Sequence, residues 1–121
     1  MSATSQAIAT ARIAAAAAEK KIGHDIVAFD VSEQLAIADI FLIVSGNNEP
    51  QVGAIVDEIV AQIIEKDNAR PIRREGENEQ RWVLLDYGDV VVHVQHQEDR
   101  ALYNLERLWK DCPKIDLQLS E

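Results

Sequence analysis

Ile40 to Val44, reading IFLIV, has no polar residue on either side of a strand's two-residue repeat. A strand apolar on both faces suits the centre of a sheet covered on each side, so helices are needed above and below it. Ser45-Gly46-Asn47-Asn48 follows as turn material. Glu49-Pro50-Gln51 then reads as a helix start, with proline in the first turn and Asn48 or Glu49 as cap. Val52, Ile55, Val56, Ile59 and Ile63 recur at helical spacing, while Asp57, Glu58, Gln62 and Glu65 face away. A buried strand running into an amphipathic helix makes this an α/β chain.

The flanking segments fill in that frame. Ser5 to Lys21 is alanine-rich and predicts a first helix, with Ile8, Ala15 and Ile22 at a seven-residue repeat, Ile13 nearby, and Gly23 as its end. Asp25 to Val31 alternates Val27, Phe29 and Val31 on one face, as a half-buried strand does. Arg70 to Arg74 suits a short edge strand that tolerates Pro71 at its start. Arg81 to Asp86 and Asp89 to Gln95 read as a hairpin turning through Tyr87-Gly88. A third helix is expected from about Glu98 to Asp111, burying Leu102, Leu105, Leu108 and Trp109, with Cys112-Pro113 stopping it. The expectation is a single-domain mixed β-sheet flanked by about three helices, in the order α-β-β-α-β-β-β-α. Residues 1–113 form the domain, and 114–121 a short C-terminal tail.

With 121 residues the chain can bury roughly two thirds of its unfolded surface without disulfides or metal. Its formal net charge of −9 repels phosphate backbones, so direct nucleic-acid binding is not expected, and a basic protein surface is the natural complement. The lone Cys112 has no internal disulfide partner, which fits a reducing compartment. No run approaches the length of a membrane span, and the alanine-rich start is a poor secretory signal. Cytoplasm is the expected location.

A two-residue Tyr87-Gly88 loop places Trp82 opposite His93 and Leu84 opposite Val91. Val83, Leu85, Val90, Val92 and Val94 then form an aliphatic side suited to a core. Trp82, Leu84, Val91, His93 and Gln95 form a mixed side that either meets a partner or lies beneath a helix.

Chemistry is scarce by comparison. His93 and His96, three positions apart, point to opposite faces of a strand and cannot share one ion, so no metal is expected. Cys112 has no His or Asp at an informative spacing. Asp86 and Asp89 flank a turn, where aspartate commonly stabilises local backbone. GxxxxGK[ST], GxGxxG and HExxH are all absent. Ser45-Gly46 between strand and helix resembles the place where nucleotidyltransferases hold a phosphate, but Asp-x-Asp is missing, and Glu75, Glu77 and Glu79 lie among arginines. No cofactor or catalytic residue is expected.

Several blocks in order carry a closer likeness. They are Asp39-Ile40-Phe41 with Ser45-Gly46, Gln51-Val52 with Ala54-Ile55, Arg74-Glu75-Gly76, the run from Trp82 to His93, and Arg100, Tyr103, Leu105-Glu106 and Leu108-Trp109. Through them the chain resembles the ribosomal silencing factor family, also called iojap-like, from about Ala7 to Trp109. The resemblance implies a nucleotidyltransferase-like α/β fold without that activity. It also implies a factor that binds large-subunit ribosomal protein fourteen and sterically blocks subunit joining, lowering translation under nutrient limitation. Trp82 and Leu84 are the expected apolar anchors, with Asp86, Tyr87, Gly88 and Asp89 at the hairpin tip meeting basic side chains, and His93 orienting Trp82. The alternatives are a nucleotidyltransferase-like enzyme using Ser45 and nearby carboxylates, and a homodimer pairing through the mixed face, which would compete with docking.

Overall fold

The computed structural model describes residues 2–119. The chain runs α1 (Ser5–Lys20), β1 (His24–Asp30), β2 (Ile40–Gly46), α2 (Glu49–Asp67), β3 (Arg73–Glu75), β4 (Trp82–Asp86), β5 (Val90–His96) and α3 (Gln97–Tyr103), followed by a 3-10 turn at Leu105–Arg107. The five strands form one sheet in the order β1-β2-β5-β4-β3. Only β2 and β5 run parallel; every other neighbouring pair is antiparallel. The mixed α/β architecture and the expected element order hold.

Helix α2 follows its sequence pattern. The Asn48 side chain accepts a hydrogen bond from the Gln51 amide at 2.8 Å, satisfying a donor that the first helical turn leaves free. Val52, Ile55, Val56, Ile59 and Ile63 are all buried. Each such side chain contributes roughly 1.5–3 kcal/mol by leaving water, so the stripe fixes α2 to the sheet. Helix α1 packs beside it, but not through the expected isoleucines. Ala7, Ala11, Ala14, Ala15, Ala17 and Ala18 form the buried face, whereas Ile8 and Ile13 are only partly buried and Ile22 is 73% exposed. Small side chains let α1 lie close to its neighbours, where a branched stripe would hold it off. Ile22, at φ 64°, makes the reversal expected of Gly23.

The main core joins α1 and α2 to Ile40, Leu42, Val44, Val83, Leu85, Val90, Val92 and Val94 on one sheet face. A smaller cluster on the other face gathers Phe29, Val31 and Ile43 with Val27, Leu35, Phe41, Leu105, Trp109 and Cys112. Strand β2 is thus covered on both sides, as its apolar run requires, although β5 and not β2 holds the middle of the order.

Three further expectations change. Gly88–Asp89, not Tyr87-Gly88, forms the hairpin loop: Tyr87 N–H donates to the Val90 carbonyl at 2.9 Å, and Gly88 adopts φ +89°. A tight loop of this kind calls for a positive φ at its first position, which glycine adopts without strain. Trp82 therefore pairs with Gln95, Leu84 with His93 and Asp86 with Val91. A slip of two residues keeps each side chain on its predicted face.

The third helix stops at Tyr103, because Asn104 takes the left-handed conformation at φ 47° and donates its N–H to the Arg100 carbonyl at 2.9 Å. Leu102 and Leu108, expected in a buried stripe, are 75% and 71% exposed. Finally, the segment after Pro113 is held against the sheet. The Ile115 amide donates to the Ala28 carbonyl at 2.9 Å, Lys114 bridges Phe29, and Leu117 joins the main core. It covers an edge of β1 that would otherwise offer unpaired backbone groups.

Candidate functional site: the half-open sheet face

The pleat sends Trp82, Leu84 and Asp86 of β4, and Val91, His93 and Gln95 of β5, to the face away from α1 and α2. Helix α3 and the 3-10 turn cover part of that face. The Trp109 ring stands edge-on to Phe41 at a centroid distance of 5.2 Å, and Tyr103 lies 5.0 Å from Trp82. His93 and Gln95 are buried, while Trp82, Leu84 and Val91 keep partial exposure. Tyr103 is 55% exposed and, with Leu102 and Leu108, adds apolar surface on the cap. The question left open by periodicity thus has a divided outcome: the cap shields the His93 end and leaves the Trp82–Leu84–Val91 edge accessible.

Trp82 is held in place. Its indole N–H donates to His93 Nδ1 at 3.1 Å, and the two rings lie 6.1 Å apart. With Nδ1 accepting, the neutral imidazole carries its proton on Nε2, a buried atom without a hydrogen-bond partner. Burial pushes the His93 pKa down to about 4. The native protein therefore refuses a proton that the unfolded chain accepts below about pH 6.5. The pH-linked cost of His93 vanishes above that pH, and stability falls by up to about 1.4 kcal/mol per unit as pH drops from about 6.5 toward 4. Urea midpoints should accordingly decline more steeply between pH 6 and pH 5 for wild-type protein than for His93→Gln. Equal slopes would contradict a buried neutral imidazole.

The hairpin tip divides between two faces. Asp86 stays beside Leu84, but its Oδ1 accepts from Gly88 N–H at 2.8 Å and its Oδ2 lies 3.8 Å from Arg73, so it is engaged in the turn. Tyr87 turns the other way, onto the main core; its hydroxyl is buried and unpaired, and burial raises its pKa to about 12. Asp89 is exposed, and its carbonyl accepts the amides of Asp39 at 2.8 Å and Ile40 at 3.0 Å. Of the residues predicted for the site, Trp82, Leu84, Asp86 and His93 share one face, whereas Tyr87 faces away. Sequence reasoning missed Phe41 and Tyr103. The Trp82 and Tyr103 pairing has no local spacing rule, because it depends on where α3 stops.

Arg81 anchors the start of β4. Its guanidinium bonds Asp99, Glu98 at 3.1 Å and Glu49 at 3.2 Å, tying the strand to α2 and α3, and these carboxylates raise its pKa. At the end of β2, just before the strand-to-helix turn, Ser45 is fully buried and its hydroxyl accepts from Arg100 Nη1 at 2.9 Å. The Asn47 amide donates to Gln51 Oε1 at 2.6 Å and the Gln51 amide to Asn48. Two of the backbone donors that a phosphate would seek at this turn, the Asn47 and Gln51 amides, are thus taken by the chain's own side chains. Among the described residues, no group of three or more His, Cys, Asp and Glu side chains is arranged to hold a metal ion, and no helix is long and apolar enough to cross a membrane.

These features define an α/β domain with one sheet face sealed under two helices and the other half open around a fixed tryptophan. A family model described as "Ribosomal silencing factor during starvation" matches residues 4–121. A ribosomal silencing factor of Bacillus subtilis (strain 168) is 48% identical over 106 residues, spanning 88% of this chain and 89% of its own. A solved structure from Chromobacterium violaceum gives a TM-score of 0.80 at 29% identity and covers 84% of each chain. Another, from Bacillus halodurans, gives 0.73 at 40% identity, covering 86% of this chain and 93% of its own. The chain belongs to the ribosomal silencing factor family.

Proposed function

We propose that this protein binds the large ribosomal subunit through ribosomal protein fourteen and, seated there, keeps the small subunit from joining, which represses translation when nutrients are limiting. It acts in the cytoplasm and makes no bonds. The observation that carries this reading is the exposed edge of Trp82, Leu84 and Val91, with its tryptophan pinned between His93 and Tyr103. A preoriented aromatic in an apolar surround is the usual form of a binding anchor, because little side-chain freedom is left to lose.

Charge supports the choice of dock. A domain of net charge −9 approaching a polyanionic ribosome is repelled by RNA and attracted by a basic ribosomal protein. Size supports the mechanism, since a body with a radius of gyration of about 14 Å fills enough space to stop another large surface from seating. The enzyme alternative is disfavoured by Ser45, whose hydroxyl is sealed beneath Arg100.

Titration of purified ribosomal protein fourteen with this chain tests the reading. Saturable binding that weakens with added salt is expected, because rim charges speed association only while unscreened. Binding to naked ribosomal RNA with none to the protein would contradict it, as would a magnesium-dependent rise in melting temperature with a nucleotide.

A further inference from the structure

The cap formed by α3 and the 3-10 turn is short, and its hold on the sheet is uneven. Asn104 breaks it into two pieces. Its outer surface carries Leu102, Tyr103 and Leu108 in solvent. The sheet face that it covers carries Gln95, whose side-chain oxygen and nitrogen are both buried and unpaired, and His93 Nε2; the Trp109 indole nitrogen on the cap side is unpaired as well. A layer with apolar atoms outside and unsatisfied polar atoms beneath is not held by burial alone.

One side chain spans the break. Arg100, only 8% exposed, donates from Nε and Nη2 to the two Glu106 oxygens at 3.0 and 3.1 Å, and from Nη1 to Ser45 Oγ at 2.9 Å. Arg100 stands on α3, Glu106 on the 3-10 turn and Ser45 at the end of β2. Three elements meet at one guanidinium. The two-bond fork with a carboxylate fixes orientation as well as distance, which a lysine ammonium cannot do. Tyr103, between the two residues of the fork, and Trp109, three residues past Glu106, supply the rings that pack on Trp82 and Phe41.

We propose that Arg100 and Glu106 are positioning residues for the docking face: the Ser45–Arg100–Glu106 latch holds the cap in the one pose that sets Tyr103 against Trp82. The proposal rests on the docking reading above and adds a point of control to it. Neither residue has to touch the partner; opening the fork frees the cap, and the tryptophan loses the ring that braces it. The same latch seals Ser45, so the turn that resembles a phosphate site serves as a structural anchor.

The test uses the full chain with Glu106→Gln, which keeps the shape and removes the charge, and Arg100→Lys, which keeps the charge and removes the fork. Hydrogen exchange of the free protein is read first. Amides of residues 97–109 are expected to exchange about tenfold faster or more in both variants, since charge-assisted bonds are weakened, while those of α2 keep their rates. Affinity for ribosomal protein fourteen is then expected to fall about fivefold to tenfold in each, non-additively with Tyr103→Ala, as for residues acting through one contact. Unchanged exchange in 97–109, acceleration spread equally over α2, or additive losses of affinity would overturn the proposal. Failure of the wild-type chain to bind would defeat the docking reading, while selective loosening of 97–109 would still establish the latch.

Discussion

Replacing Trp82 by alanine is expected to weaken binding to ribosomal protein fourteen by about thirtyfold or more, the equivalent of roughly 2 kcal/mol for a central aromatic anchor. The loss has two sources. The partner forfeits the exposed part of the indole, and the site forfeits its order, since His93 Nδ1 loses its donor and Tyr103 loses the ring 5.0 Å away. Because Trp82 is only half-buried and stands outside the main core, the far-ultraviolet circular dichroism of the variant should match wild type. Trp82→Phe separates the two sources: it keeps an aromatic face and drops the N–H, and so should retain part of the affinity. A folded Trp82→Ala protein that binds at full strength would refute the anchor assignment.

The largest effect on stability is expected at Gly76, which lies against the backbone of β4. Gly76 sits at φ +84° in the connection from β3 to β4, and a Cβ added there would lie 2.0 Å from the Trp82 carbonyl oxygen. Neither atom can give way cheaply, because one belongs to the turn and the other to the strand that carries the site. Gly76→Ala should therefore cost about 3 kcal/mol or more, combining a left-handed conformation that L-residues resist with a backbone clash. For a chain of this size that is a fall of roughly 10 °C or more in melting temperature. Gly53→Ala is the control: its Cβ would meet only the end of the Gln80 side chain, and alanine is the better residue inside a helix. A Gly76→Ala protein melting alongside wild type would show that the turn has a slack the geometry does not contain.

The two variants mark what could be read from the amino acids and what could not. The α2 stripe was legible because its pattern is local and its proline and Asn48 cap fix the start. The faces of β4 and β5 were legible because alternation survives a two-residue slip, although the register was not. Gly88-Asp89 is itself a recognised hairpin pair, and placing glycine first in the loop would have given the observed register. Helix α3 misled because Leu102, Leu105, Leu108 and Trp109 repeat at helical intervals, while the single Asn104 that ends the helix carries no strong signal inside such a pattern. Asparagine tolerates the left-handed region without demanding it. The short cap, and with it the Tyr103–Trp82 contact and the Arg100 latch, follow from that one residue. The docking of α1 through alanines was hidden for another reason: alanine reads as helix propensity, and only the packed neighbours reveal it as an interface.

A subunit-joining measurement tests the central claim most directly. Purified large and small subunits are mixed at joining concentrations of magnesium, with wild-type chain, Trp82→Ala or neither, and the fraction of whole ribosomes is read by light scattering or on a sucrose gradient. Wild-type protein in modest excess over large subunits is predicted to hold most of them apart, with Trp82→Ala needing about thirtyfold more for the same effect. Full joining in the presence of saturating wild-type protein would contradict the account.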